Sequence, residues 1–220
     1  MGKNRDAHNF PPSAFRENCV RPDFYITSKS EIRKQVLARR DALDAAERKS
    51  LSEGITARLL ALDAFRNAGC VMAYVGFGSE IDTTRFVAET LARGKTLVLP
   101  RVEHGNRTLK LFEVRDPENQ LEVGVWGIRQ PRADLCPEIS ATQIEFVLVP
   151  GVAFTRRCER LGYGGGFYDR FIGGLAPRPA LVVAAFALQL LPELPTSETD
   201  QRVDIVMTED AEYRAPGVYK

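Results

Sequence analysis

Four glycines fall within five residues in the segment Arg160-Leu161-Gly162-Tyr163-Gly164-Gly165-Gly166-Phe167-Tyr168-Asp169-Arg170. Glycine tolerates positive φ and lets a ligand approach the backbone closely, so successive N–H groups can converge on an anion. A helix beginning near Phe167 would add its own unpaired N–H groups. Arg156, Arg157 and Arg160 supply full positive charge nearby. These features together point to a phosphate site. Asp169 stands in the first turn of that helix, where an acid either offsets the dipole or, beside phosphate, holds Mg²⁺. Asp200 and Asp204, in the late segment SETDQRVD, are its candidate partners.

Other residues widen the set. Lys29 and Arg33 are four apart on a helical pattern and share a face; most such pairs are merely solvated. Glu80 follows a strand end and a double-glycine turn, at the sheet edge where α/β proteins bind ligands, so its carboxylate could grip polar N–H groups. Trp126, the one tryptophan, is either a core anchor or a stacking platform for a flat ring. His8 and His104 have no Ser, Cys or carboxylate pattern beside them, which argues against a catalytic triad. A Walker-type loop is absent. Gly76-Phe77-Gly78-Ser79-Glu80-Ile81 begins like a dinucleotide fingerprint, but Ile81 takes the third glycine's place and the next strand ends in Arg101 rather than an acid.

The elements that must position these residues follow from periodicity. Ser28 with Glu31, and Asp44 with Glu47, are capping-box patterns that open two amphipathic helices. Short apolar runs at Val71–Phe77, Thr96–Val102, Leu109–Val114, Ile144–Phe154, Leu181–Ala187 and Ile205–Thr208 read as strands. Asp82 or Thr83 caps a helix between the first two, closed by Gly94. Strands alternating with helices predict an α/β domain with a mostly parallel sheet. Residues 1–27, with three prolines and little periodicity, read as a mobile N-terminal extension, and 28–220 as a single domain.

Composition limits the partners. Thirty Lys and Arg against 29 Asp and Glu leave a net charge of +1, unlike the basic excess of a nucleic-acid binder. The charge is unevenly spread: residues 188–212 hold seven acids and one arginine, so the remainder is clearly basic and suited to anionic ligands. The longest clean apolar run, Ala180–Leu188, is far too short to span a bilayer, and the polar start lacks a secretory h-region. Cys19, Cys70, Cys136 and Cys158 are widely spaced, which suits buried or idle thiols in a reducing compartment. The expectation is a cytoplasmic monomer with no nucleic-acid or membrane partner.

Several of these pieces occur together in one family. The chain resembles 5-formyltetrahydrofolate cyclo-ligase, also called 5,10-methenyltetrahydrofolate synthetase, in Lys29-x-x-Ile32-Arg33, GSEIDT around Glu80, LPRV around Arg101, WGIRQP, VPGVAFTRRCERLGYGGGFYDRF and TDQRVDIVMTE. The resemblance spans roughly residues 29–210. It implies a Rossmann-like three-layer α/β/α fold and the ATP- and Mg²⁺-dependent closure of 5-formyltetrahydrofolate to 5,10-methenyltetrahydrofolate, releasing ADP and phosphate. It implies ATP contacts at Lys29, Ser30, Glu31, Ile32 and Arg33 and at Arg160, Leu161, Gly162, Tyr163, Gly164, Gly165, Gly166, Phe167 and Tyr168. Substrate contacts fall on Val75, Glu80, Trp126 and the stretch Tyr163–Phe167, and the Mg²⁺ positions on Asp169 and Asp200. Some relatives carry a basic residue in place of Gly165 and a tyrosine in place of Phe167. The rival readings are a non-catalytic nucleotide- or folate-binding protein of the same fold and a sugar-phosphate isomerase-like enzyme needing no ATP.

Overall fold

The computed structural model describes residues 28–103, 105–124 and 127–217. The expected N-terminal extension, Cys19 and Trp126 lie outside them. The chain runs α1 (Lys29–Asp41), α2 (Ala45–Ala61), α3 (Asp63–Asn67), β1 (Cys70–Met72), α4 (Thr84–Ala92), β2 (Thr96–Glu103) and β3 (Thr108–Glu113). It continues through β4 (Leu121–Val123), β5 (Arg129–Pro131), β6 (Phe146–Leu148), β7 (Ala153–Thr155), β8 (Arg160–Leu161) and α5 (Phe167–Gly173). The last elements are β9 (Ala180–Ala184), β10 (Leu190–Leu191), β11 (Ile205–Met207) and β12 (Glu212–Arg214).

Seven strands form the main sheet in the order β12-β11-β9-β6-β1-β2-β3. The inner ladders are parallel, and β3 and β12 close the two edges antiparallel. The strands bury both faces, and their period of two sends alternate residues into separate cores. Val71, Phe146, Leu148, Val182 and Ile205 pack with Ile55, Leu59, Phe65 and Phe86 of α2, α3 and α4. Met72, Val147, Leu181, Val183 and Val206 pack on the other face with Phe154, Cys158 and Ile172. The α/β fold with its large, mostly parallel sheet is the one expected.

A second, three-stranded sheet, β10-β7-β8, carries the site. A third core forms where α1 lays Ile32, Val36 and Leu37 against Val152, Ala153, Leu161, Leu191 and Leu194. The expected capping contacts are both made: the Ser28 hydroxyl accepts from the Glu31 N–H at 3.4 Å, and Asp44 Oδ1 from the Glu47 N–H at 2.8 Å.

Several boundaries differ from expectation. Ile144–Phe154 is not one long strand. The Val149 N–H still donates to the Val182 carbonyl at 2.7 Å, and Pro150 then supplies no donor. At Gly151 a Cβ would stand 2.7 Å from the Phe154 ring, so the chain folds tightly and leaves for the small sheet. The strand expected over Val71–Phe77 ends as β1 at Met72; the Ala73 N–H still donates to the Val98 carbonyl at 2.9 Å, and Tyr74, Val75 and Phe77 line the cleft instead. At Gly76 a Cβ would meet the Ile81 carbonyl at 2.3 Å. Helix α3, the β4–β5 hairpin and β12 were not legible, being short and polar in composition.

Phe65 is fully buried, its ring 5.0 Å from Phe86 and 5.7 Å from Phe146. Phe65→Ala should cost about 3–5 kcal/mol, read as a lower urea midpoint with little change in slope.

Candidate active site

The carboxyl ends of β1, β2 and β6 open into a cleft of about 1280 Å³, the usual place for ligands in an open α/β sheet. One wall is helix α1, which presents Lys29 and Arg33. The glycine loop joins β8 to α5 across the floor, and the segment Ser197–Gln201 closes the end beside Lys29. Val75, Phe77 and Glu80 line the opposite end, with Ile128, Arg129 and Gln130 of the β5 region.

Contacts from distant parts of the chain hold the loop. Arg33 Nε donates to the Gly162 carbonyl at 2.7 Å. Its guanidinium lies against Gly164, whose φ of +106° is one that side chains rarely adopt. Arg160 is almost wholly buried, and its Nη2 pairs with Asp169 Oδ1 at 2.5 Å. The Gln201 N–H donates to the same oxygen at 3.1 Å. Lys29 Nζ pairs with Asp200 Oδ2 at 2.5 Å, and that oxygen also accepts from the Ser197 N–H at 2.7 Å. Burial works to raise the Asp200 carboxyl, but the hydrogen bonds from Lys29 and Ser197 outweigh it and hold it below its ordinary range.

Glu80 is buried at the other end. Its Oε1 accepts from the Tyr163 hydroxyl at 2.5 Å and its Oε2 from the Phe77 N–H at 3.2 Å. Burial pushes its carboxyl up, against the pull of these two donors and of Arg40. The Tyr74, Tyr163 and Tyr168 phenols all rise, first through burial and then through the charge of Glu80. The Tyr168 hydroxyl and Arg160 Nε are buried with no partner among the described residues.

Lys29, Arg33, Val75, Glu80, Asp200 and the whole stretch from Arg160 to Asp169 therefore meet in one cleft. Ser30, Glu31 and Ile32 do not line it. Ser30 bonds the Ser28 hydroxyl at 2.6 Å, Glu31 accepts from Gln35 Nε2 at 3.2 Å, and Ile32 packs in the third core. Asp204 is also elsewhere: it is buried, with Oδ1 paired to Arg178 and Oδ2 accepting from the Leu181 N–H. Tyr74 and Arg40 were missed. Tyr74 gave only the signal of an aromatic at a strand end, and Arg40 that of a third cation on the Lys29–Arg33 face.

Among the described residues no group of three or more His, Cys, Asp or Glu gathers to hold a metal. Two carboxylates with phosphate oxygens and water are, however, a normal Mg²⁺ set. Asp169 makes its named contacts through Oδ1 and Asp200 through Oδ2. That leaves one oxygen of each for a cation, so the donor set fits Mg²⁺ shared with a bound phosphate.

Residues 25–209 match the model of the 5-formyltetrahydrofolate cyclo-ligase family. The chain belongs to that family. The mouse 5-formyltetrahydrofolate cyclo-ligase is 26% identical over 193 residues, covering 84% of this chain and 95% of the mouse protein. The Escherichia coli K12 enzyme is 27% identical over 171 residues, covering 77% and 94%. The solved 5,10-methenyltetrahydrofolate synthetase of Aquifex aeolicus superposes with a TM-score of 0.76 at 34% identity, covering 87% of this chain and 95% of that one. The Mycoplasma pneumoniae synthetase, at 21% identity and a TM-score of 0.68 over 83% and 99%, shares the fold. The chain is thus an enzyme of the cyclo-ligase family, a ligase acting in folate chemistry. No helix among the described residues is long and apolar enough to cross a membrane.

The buried Arg160–Asp169 pair makes the loop sensitive to bulk. At Gly162 a Cβ would stand 2.8 Å from Arg160 Nη1. Gly162→Ala should displace that guanidinium and cost about 1–3 kcal/mol, measured by chemical denaturation of both proteins.

Proposed function

We infer that this chain closes 5-formyltetrahydrofolate to 5,10-methenyltetrahydrofolate at the expense of ATP, with Mg²⁺, releasing ADP and phosphate. One observation carries the reading: a single cleft joins the cations Lys29, Arg33 and Arg160 and the glycine loop to the buried Glu80 carboxyl and the Tyr163 hydroxyl bonded to it. The first group has the chemistry of a polyphosphate site and the second that of a site for a polar heterocycle.

The formyl oxygen on N5 is a poor leaving group. It attacks the γ-phosphorus of ATP, the bond from that phosphorus to the bridging oxygen breaks, and ADP departs. N10 then attacks the formyl carbon, the carbon–oxygen bond breaks, phosphate leaves, and N10 loses its proton as the ring closes. Transfer of this kind needs positioning and charge stabilisation rather than a protein nucleophile. Lys29, Arg33 and Arg160 bind and orient the phosphates, and the backbone of Gly162–Gly166 lets them approach. Asp169 and Asp200 would hold Mg²⁺, which when bound spreads the charge of the transferred group. Glu80 accepts N–H donors of the pteridine, with Val75 and the Tyr163–Phe167 stretch against its ring. The three buried cysteines of the described residues carry no disulfide, which suits the cytoplasm.

Turnover is followed through the absorbance of the methenyl product. Activity with the correct stereoisomer that requires both ATP and Mg²⁺ is expected. Binding of both ligands by calorimetry without turnover would instead establish a non-catalytic binder. Arg160→Ala should raise the KM for ATP by about tenfold or more, because it removes a charge-assisted contact of about 1.5–3 kcal/mol, with a smaller effect on folate. Equal losses for both ligands would remove the assignment. Asp169→Asn should move the Mg²⁺ titration to higher concentration, and an unchanged titration counts against metal ligation.

A further inference from the structure

Arg40 is buried, with 4% of its surface exposed, yet among the described residues it makes no ion pair with a carboxylate. Its Nε donates to the Ser79 hydroxyl at 2.9 Å, and that hydroxyl in turn donates to Asp41. Its guanidinium carbon lies 5.9 Å from the centre of the Tyr163 ring, within the range of a cation–π contact. Tyr163 donates to Glu80 at 2.5 Å. A buried cation with no direct ion-pair partner is costly, and this one reaches carboxylates only through other side chains: Asp41 through Ser79, and Glu80 through Tyr163. Lys29, Arg33 and Arg40 follow one another at spacings of four and seven on α1, so they share a face. The helix that presents cations at the phosphate end therefore reaches Tyr163 and Glu80 with its last turn.

We propose that Arg40 is a positioning residue for the folate end of the site: anchored by Ser79, it fixes the Tyr163 ring and, through the Tyr163 hydroxyl, the Glu80 carboxyl that accepts substrate N–H groups. The inference rests on the folate reading of the cleft. Glu80 is faced by Arg40 from α1, by Tyr74 after β1, by Tyr163 and the Phe77 N–H, and by Tyr168 of α5. The phenols all stay protonated near neutral pH, so Arg40 is the cation that acts on this carboxyl. Its burial already favours the neutral acid, and Arg40 opposes that shift. Without the guanidinium, the protonated form extends to higher pH, and a protonated carboxyl loses acceptor capacity for the substrate.

The test is the steady-state KM for each substrate from mildly acidic to mildly alkaline pH in wild type, Arg40→Met, Arg40→Lys and Ser79→Ala. For Arg40→Met the acid limb of the folate KM should move to higher pH, with a rise of about tenfold for each unit of displacement on that limb. The KM for ATP should change little. Arg40→Lys, which restores the charge, should bring the limb back toward wild type. Ser79→Ala, which removes only the anchor, should give a smaller shift in the same direction and serves if Arg40→Met does not fold. Folate and ATP KM values that change together, with the acid limb unmoved, would reduce Arg40 to a packing role and overturn the proposal. So would an unmoved limb in Ser79→Ala if that variant alone is soluble. Absence of turnover in the wild-type protein would instead bring down the folate reading itself, independently of any variant.

Discussion

The docking of α1 on the glycine loop holds both ends of the cleft in register. Ile32, Val36 and Leu37 bury against the small sheet, and that apolar seam sets the height of the helix above the loop. Once it is seated, Arg33 meets the Gly162 carbonyl, Lys29 meets Asp200, and Arg40 meets Ser79. Each polar contact has a modest net value in isolation. Together they join the first helix to residues 129 and 171 positions further along the chain. A change in how α1 sits would therefore be felt at both ends of the cleft together.

The glycine loop can do its work because its surroundings are rigid. Both faces of the sheet are packed, so the strand ends beneath the cleft are held by two independent cores. Pro150 and Gly151 turn the chain out of the main sheet, and β7 and β8 return it to the cleft floor. Arg160, the last anchor before the glycines, is buried and paired to Asp169, so loop and helix start move as one unit. The loop has backbone freedom at Gly164 and Gly166, where φ is positive, and little freedom at its ends.

The charges divide by environment. At the Lys29–Asp200 end, the partly exposed Asp200 sits beside Lys29, and its hydrogen bonds hold the carboxyl below its ordinary range. At the other end burial of Glu80 dominates, opposed by the hydrogen bonds from Tyr163 and the Phe77 N–H and by the charge of Arg40. A near-neutral chain thus carries a cation-rich end and, at the other, a buried carboxyl.

Much of this was legible in the residues alone. Unbroken apolar runs at Val71-Met72, Phe146-Val147-Leu148 and Leu181-Val182-Val183 mark strands buried on both faces, because successive residues of a strand point to opposite sides. Ser28 and Asp44 determine two helix starts for the same reason, and the glycines after Arg160 determine a loop open to a ligand. Other features were not local. The break at Pro150–Gly151 was hidden inside an apolar run, since such a run does not say which sheet its strands join. The first-helix motif singled out five residues, but only Lys29 and Arg33 face the cleft, because helical rotation turns Ser30, Glu31 and Ile32 elsewhere. The sequence by itself determined the two capped helices, the apolar strand runs of the main sheet and the glycine-rich composition of the loop. The tertiary structure alone decided that Lys29 meets Asp200 and that Arg40 reaches Tyr163 and through it Glu80, because strand order and helix docking, rather than local propensity, bring such distant residues into contact.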